Sequence, residues 1–137
     1  MKKLLLLLLL STSIFAVDGA QVFKKNCTAC HFGMITKAEF KKQYMNLKAP
    51  PMVMISEKLR GMISIKTEND NAQDLHRFTT ISFIKEYLKH PSWEYYACDN
   101  NAYNRFGAMP AQTHLSEDES QAVAEWIYDY FEGKTIE

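Results

Sequence analysis

The chain is poor in cysteine, in net charge and in strand-like patterning. Its 137 residues include three cysteines, and its 16 basic residues balance its 16 acidic ones. An odd number of cysteines cannot all pair as disulfides within the chain. A balanced charge is not typical of nucleic-acid-binding domains, which are usually strongly basic. No internal repeat and no clear alternation of polar and apolar residues is visible. The sequence therefore indicates one globular domain of helices and loops.

The N-terminus differs from the rest of the chain. Two lysines precede an apolar run from Leu4 to Val17, which polar residues interrupt. The run is shorter than the roughly 20 residues that a membrane span needs, and its order of basic, apolar and small residues is typical of a secretory signal. We predict a signal peptide over residues 1–16, cleaved after Ala16, and a mature domain over residues 17–137 in the periplasm. Retention of the leader as an anchor is the alternative. Cleavage would leave a formal charge of −2.

Apolar spacing and capping signals predict an all-α fold. Thr36 with Glu39, and Ser116 with Glu119, are capping-box pairs, which mark helix starts. Residues 66–74 are polar and are expected to form a loop. Helices are expected from about Gly19 into Cys27–Cys30, from Thr36 towards Leu47, from Pro50 and Pro51 to about Ile63, from about Thr79 to Lys89, and from Ser116 to a stop at Gly133. The last helix carries apolar residues at the spacing of a buried stripe. They are Val123, Trp126, Ile127, Tyr130 and Phe131.

The segment at residues 27–31, Cys-Thr-Ala-Cys-His, has a chemically specific pattern. On a helix, Cys27, Cys30 and His31 share one face because they lie three and four positions apart. This arrangement suits a planar macrocycle, which the two thiols bind covalently while the imidazole reaches its iron. The five-residue pattern is that of a c-type haem attachment site. The alternatives are a thioredoxin-like dithiol pair, a structural disulfide, and a zinc site completed by Cys98.

An iron bound by His31 keeps a second axial position, and the group that occupies it decides the function. Met109 is the leading candidate, because Gly107 and Pro110 place it in a loop whose backbone can approach a flat cofactor closely. A thioether ligand favours ferrous iron and raises the reduction potential. Three other methionines lie at helical spacing and are expected to pack as core side chains. They are Met52, Met54 and Met62. The fallback ligands are His76, His90 and His114.

These residues resemble the pattern of class I (mitochondrial-type) cytochromes c. The early motif of Cys27, Cys30 and His31 and the late Met109 loop carry the resemblance, together with the aromatic last helix. More narrowly, the segments at residues 83–92 and 105–110 resemble small periplasmic cytochromes of respiratory proteobacteria.

The resemblance implies helices and loops wrapped around one covalently bound haem c. Cys27 and Cys30 would be the thioether attachment points, His31 the proximal ligand and Met109 the distal ligand. It further implies that the carbonyl of a proline accepts a hydrogen bond from the proximal histidine. The candidates for that proline are Pro50 and Pro51.

The resemblance also implies that the first and last helices cross near the haem. The residues expected to meet there are Val22 and Phe23 on one helix and Trp126 and Tyr130 on the other. The segment between His31 and Met109 is longer than in the shortest carriers of the family, and it includes an additional charged helix at residues 37–48.

Two further features have more than one interpretation. Cys98 is expected to be a small buried residue or, alternatively, a surface thiol that forms an intermolecular disulfide. Basic residues dominate positions 24–60, and acidic residues dominate from position 114 onward. This asymmetry favours docking of a basic rim onto acidic redox partners, or it reflects ordinary solvated helix faces.

Three functions are compatible with these features. The favoured one is a monomeric, diffusible electron carrier with no enzymatic activity. By resemblance it would take electrons from a quinol-oxidising complex and pass them to a terminal oxidase or peroxidase. The second is a haem-bearing subunit of an exported oxidoreductase complex, for example in sulfur-compound oxidation. The third is a gas-binding or catalytic cytochrome with an open iron position.

Overall fold

A computed structural model describes residues 16–64 and 71–137, and within these residues the chain is helical, without strands. The predicted all-α fold is thereby confirmed. The six α-helices are α1 (Gly19–Asn26), α2 (Lys37–Gln43), α3 (Met52–Met62), α4 (Ala72–Lys89), α5 (Asn100–Phe106) and α6 (Glu117–Tyr130), and two short 3₁₀ helices cover Tyr44–Asn46 and Trp93–Tyr95. None of the described helices is long and apolar enough to cross a membrane. The predicted signal peptide lies almost entirely outside the described residues.

Helices α1 and α6 cross in close contact, as expected. Gly19 lies against α6 so closely that a Cβ atom there would overlap the carbonyl oxygen of Ala122 and lie 2.6 Å from the Cβ of Trp126. Farther along α1, the Phe23 ring packs on Trp126 with 4.8 Å between ring centroids. The absence of a side chain at Gly19 is therefore what lets the two backbones approach.

The predicted buried stripe of the last helix has an exception at Tyr130. Val123, Ile127 and Phe131 are buried, but Tyr130 is 42% exposed. Its ring stacks on Trp126 at 4.7 Å, and the Lys134 ammonium lies 3.3 Å from the ring centroid. Tyr130 thus covers the core from outside, where its hydroxyl can reach water.

Helix α4 begins at Ala72, several residues before the predicted start at Thr79. The polar sequence obscured this start, since the first turns of α4 are fixed by contacts with α6 rather than by an apolar face. Arg77 makes two hydrogen bonds to Asp129, at 3.0 and 2.8 Å. The ring nitrogen Nδ1 of His76 lies 2.9 Å from the Tyr128 hydroxyl. Long-range pairing of this kind overrides weak local propensity.

The two capping-box predictions are confirmed. In each pair the hydroxyl of Thr36 or Ser116 accepts a hydrogen bond from the backbone of the glutamate three residues on, and the carboxylate accepts one in return. The predicted helix ends are less accurate. Helix α2 stops at Gln43 and continues as the 3₁₀ helix towards Leu47.

Candidate functional site

The segment at residues 27–31 forms a turn immediately after α1. Helix α1 ends at Asn26, earlier than the predicted run into Cys30, and Cys27 is its C-cap, with its amide bonded to the carbonyl of Phe23 at 2.8 Å. The amides of Cys30 and His31 both donate to the carbonyl of Cys27, at 3.1 and 2.9 Å. This turn brings both thiols and the imidazole to the wall of one cleft.

The cysteine chemistry of the turn does not favour dithiol exchange. Burial, with a contribution from Cys30, raises the pKa of the Cys27 thiol to about 11. A thioredoxin-like pair needs a thiol whose pKa is lowered so that the reactive thiolate forms at neutral pH. Within the described residues there is also no cluster of three or more histidine, cysteine or acidic side chains that could hold a metal ion. The zinc and dithiol alternatives therefore lack support.

His31 is oriented by a backbone carbonyl. Its Nδ1 lies 2.8 Å from the carbonyl oxygen of Pro50, so Nδ1 carries the hydrogen and donates it. Burial lowers the pKa of His31, and the bond to Pro50 offsets part of that shift. The imidazole is therefore neutral at pH 7, and the lone pair of Nε2 is free to bind a metal.

The carbonyl of Pro51 has a different role from that of Pro50. It accepts hydrogen bonds from the amides of Met54 and Ile55, at 3.0 and 3.2 Å, in the first turn of α3. Pro50 in turn is held in place because the next residues are fixed to the turn that carries His31. The amide of Met52 donates to Phe32 at 2.7 Å, and the amide of Val53 donates to Gly33 at 3.1 Å. These bonds satisfy the free amides at the start of α3, which has no side-chain cap.

The cleft has a volume of about 1250 Å³, including its open mouth. Residues from five of the six α-helices and the intervening loops line it, and the lining is dominated by apolar and aromatic side chains. They include Ile55 and Leu59 of α3, Phe83 and Ile84 of α4, Phe106 of α5 and Ile127 of α6.

Met109 also lines this cleft, and it is half-buried against the core. Gly107, at the end of α5, has a φ of 68°, a conformation that favours glycine, and it turns the chain towards Met109. The Tyr87 hydroxyl is placed beside this segment. Burial raises the pKa of Tyr87, and a hydrogen bond with the Met109 backbone offsets part of the shift.

Of the other methionines and histidines considered above, all of them in the described part of the chain, only Met52 lies at the cleft. Met52 lines the cleft, whereas Met54 and Met62 do not. None of the three fallback histidines lines the cleft either. His76 contacts Tyr128, His90 faces Glu86 at 3.8 Å, and His114 lies 3.1 Å from Asn26.

One wall of the cleft is not apparent from the sequence. Cys98 is half-buried and lines the cleft together with Tyr87, Tyr95 and Tyr96. Burial and the neighbouring Asp99 carboxylate raise the pKa of the Cys98 thiol. The only signal in the sequence was the density of aromatic residues around position 95. Cys98 is thus neither a core residue remote from the site nor a fully exposed thiol.

The basic residues at positions 24–60 contribute little to the lining of the cleft. Of these cations, all within the described residues, only Lys48 lines the cleft. Arg60 instead packs its guanidinium 4.1 Å from the centroid of the Tyr128 ring, away from the site.

The residues present fit a haem c. The cleft offers a flat cofactor an apolar environment, two thiols within one turn, and an imidazole whose free nitrogen is fixed by the bond to Pro50. Those are the groups that covalent attachment and axial ligation of a haem require.

Comparisons with known proteins agree with this description. The family model described as cytochrome c oxidase, cbb3-type, subunit III matches residues 16–127. An uncharacterized protein of Aquifex aeolicus (strain VF5) is 34% identical over 143 positions, which cover 93% of this chain and 87% of the relative. No solved structure matches the chain significantly.

Cytochrome c domains of this kind carry covalently bound haem c, act in electron transfer and are typically electron carriers outside the cytoplasm rather than enzymes. The match over most of the chain shows that this protein belongs to that cytochrome c family.

Proposed function

We propose that the chain is a periplasmic electron carrier that binds one haem c with His31 and Met109 as axial ligands. The observation that carries the proposal is that Cys27, Cys30, His31 and Met109 all line one apolar cleft. The chain contains one Cys-x-x-Cys-His segment, which supports a single haem. When bound, the haem supplies an iron that accepts and releases one electron.

Each residue has a separate task in this proposal. Cys27 and Cys30 hold the cofactor covalently, so that it is not lost in either oxidation state. The Pro50 carbonyl fixes the tautomer and the orientation of His31, which presents Nε2 to the iron. The thioether of Met109 favours the reduced state and raises the reduction potential.

Location within the fold supports Met109 over the other candidate ligands. Met52 shares the cleft, but its amide is bonded to Phe32, the residue next to His31. Met52 therefore belongs to the same side of the site as the proximal histidine. Met109 comes from a separate loop between α5 and α6.

A carrier needs no catalytic group over the iron, and the two charged or titratable side chains that flank Met109 in the sequence, Arg105 and His114, are engaged elsewhere. The Arg105 guanidinium stacks on Tyr44, 4.1 Å from the ring centroid, and bonds to the Tyr44 carbonyl. His114 is bonded to Asn26. This arrangement supports electron transfer over catalysis.

We propose redox proteins as partners, with a quinol-oxidising complex as donor and a terminal oxidase or peroxidase as acceptor. Lys48 lines the cleft and is exposed, so it can meet an acidic partner near the cofactor. Such a contact would weaken as ionic strength rises.

A second candidate is a haem-bearing subunit of an exported oxidoreductase complex. It is favoured by the description of the matching family, which names a subunit of an oxidase. The two candidates differ in assembly rather than in the chemistry of the cleft. The native mass of the protein purified from its own host separates them, since a carrier is recovered as a monomer and a subunit is recovered with its complex.

The test of ligation is the absorption spectrum of the holoprotein with and without Met109. We expect wild-type ferric protein to show a thioether-to-iron band, and the reduced protein to bind carbon monoxide only slowly. Met109→His should abolish the band, retain a six-coordinate spectrum and lower the reduction potential, because imidazole stabilises ferric iron better than a thioether.

Met45→His is the matched control, because Met45 is 79% exposed and does not line the cleft. It should leave the band and the potential unchanged. A Met109→His protein with the wild-type band and potential would refute the assignment of Met109. Rapid binding of carbon monoxide by the wild-type protein would instead favour an open iron position.

A further inference from the structure

The Met109 loop, residues 107–116, is held by a few separate hydrogen bonds. The amide of Gly107 donates to the carbonyl of Tyr103 in α5 at 2.7 Å, and the amide of Gln112 donates to the carbonyl of Leu88 at the end of α4, also at 2.7 Å. Within the described residues, the backbone at 108–111 makes no hydrogen bond to another backbone group. A hydrogen bond joins the Met109 backbone to the Tyr87 hydroxyl. The position of Met109 therefore depends on this bond and on how firmly the rest of the loop is held.

One contact ties this loop to the segment that carries the cysteines. The Nε2 of His114 lies 3.1 Å from the Oδ1 of Asn26, 88 positions away in the sequence. Asn26 is the last residue of α1, directly precedes Cys27 and lines the cleft. Among the described residues, no other hydrogen bond joins the Met109 loop to α1.

The geometry of Asn26 fixes the direction of this bond. Its Nδ2 donates to the carbonyl of Val22 at 2.9 Å, which leaves Oδ1 as the atom facing His114. An amide oxygen only accepts, so Nε2 of His114 carries the hydrogen and donates it. A donor is thus required at position 114 and an acceptor at position 26.

We propose that the hydrogen bond between His114 and Asn26 is a latch that holds the Met109 loop closed against the Cys27 segment. His114 and Asn26 are positioning residues: they act through the loop and set how often Met109 moves away from the iron position. This inference rests on the proposed ligation by His31 and Met109. A small molecule that competes for that position binds through the opened loop, so the latch sets its rate of binding.

The test uses carbon monoxide and the holoprotein. We expect His114→Leu and Asn26→Leu each to bind carbon monoxide about two- to tenfold faster than the wild type in the reduced state, the range that the loss of one hydrogen bond supplies. The double variant should bind no faster than either single variant, because both remove the same bond. His114→Gln, whose side-chain amide restores a donor, should return the rate towards that of the wild type.

The matched control is His90→Leu. His90 is 70% exposed at the end of α4 and outside the cleft, so its replacement should not change the rate. His114 is itself exposed, so His114→Leu is expected to fold even if Asn26→Leu does not. The thioether-to-iron band provides a second readout, and it should be lost at a lower temperature in the latch variants while the unfolding temperature changes less.

Two different failures can be told apart. If the wild-type protein lacks the thioether band and binds carbon monoxide at once, the proposed ligation is wrong. If the wild type shows the band but His114→Leu binds the gas at the wild-type rate, the latch is wrong and the ligation stands. Rates in the double variant that equal the product of the single effects would also overturn the latch.

Discussion

The contact between α1 and α6 at Gly19 predicts a large effect from a single methyl group. Gly19→Ala would place a Cβ onto the carbonyl oxygen of Ala122 and 2.6 Å from the Cβ of Trp126. Both are parts of α6 that cannot rotate away, so the helices must separate. Overpacking of this kind costs about 1–3 kcal/mol of folding free energy. Alanine has a higher helix propensity than glycine, but in the first helical turn this gain offsets little of the cost.

Gly61 provides the matched control, because it is exposed near the end of α3 and a Cβ there meets no atom within 4 Å. At such a site Gly61→Ala should stabilise the protein by about 0.4–1 kcal/mol, since alanine restricts the unfolded chain. The substitution of glycine by alanine is thus expected to lower the stability of the protein at position 19 and to raise it at position 61.

Thermal unfolding of the holoprotein, followed by circular dichroism, measures both effects. For a domain of this size, each 1 kcal/mol corresponds to roughly 3–5 °C in Tm. We expect Gly19→Ala to lower Tm by about 3–15 °C and Gly61→Ala to raise it by a few degrees. A Gly19→Ala protein at least as stable as the wild type would show that the two helices do not meet as described.

Two smaller predictions concern α6. Hydrogen bonds from Lys85 and Lys89 lower the pKa of the Glu117 carboxyl from 4.5 to about 2. The ionised carboxylate therefore stabilises the folded state above pH 4.5. This contribution to stability is lost as the pH falls towards 2. Glu117→Gln should therefore be less stable than the wild type in denaturant unfolding at pH 7 and equally stable near pH 2; an equal difference at both pH values would contradict this. Ser116→Ala removes the N-cap of α6 and should cost about 1 kcal/mol in the same measurement, whereas Ser82→Ala, on the exposed surface of α4, should leave stability nearly unchanged.

Much of the fold followed from local sequence signals. The capping boxes at Thr36 and Ser116 were predicted from residue types three apart, and the structure shows both. Such motifs are reliable because each partner lies within one helical turn of the other. The start of α4 was predicted too late, since the pairing of Arg77 with Asp129 joins residues 52 positions apart. Local patterns do not contain that information.

Some features of the site were also predictable from the sequence, whereas others depend on the tertiary structure. The types and spacing of the residues at 27–31 were sufficient to predict covalent haem attachment, because that chemistry is confined to five consecutive positions. Which of two adjacent prolines faces the imidazole was open in the sequence, and the structure places the carbonyl of Pro50 at 2.8 Å from His31. The assignment of Met109 as the distal ligand stays a prediction until the spectra are measured.

Sequence patterns alone predict the family, the helical class and the attachment motif, because each depends on residues close together in the chain. Which distant residues share the cleft follows only from the packing of the helices. This packing places Met109, Tyr87 and Cys98 on the walls of the cleft, and it brings His114 to Asn26. These arrangements depend on the close crossing of α1 and α6 and on the docking of α4 against α6. Packing between helices is set by the shapes of whole surfaces, which no short segment of the sequence specifies.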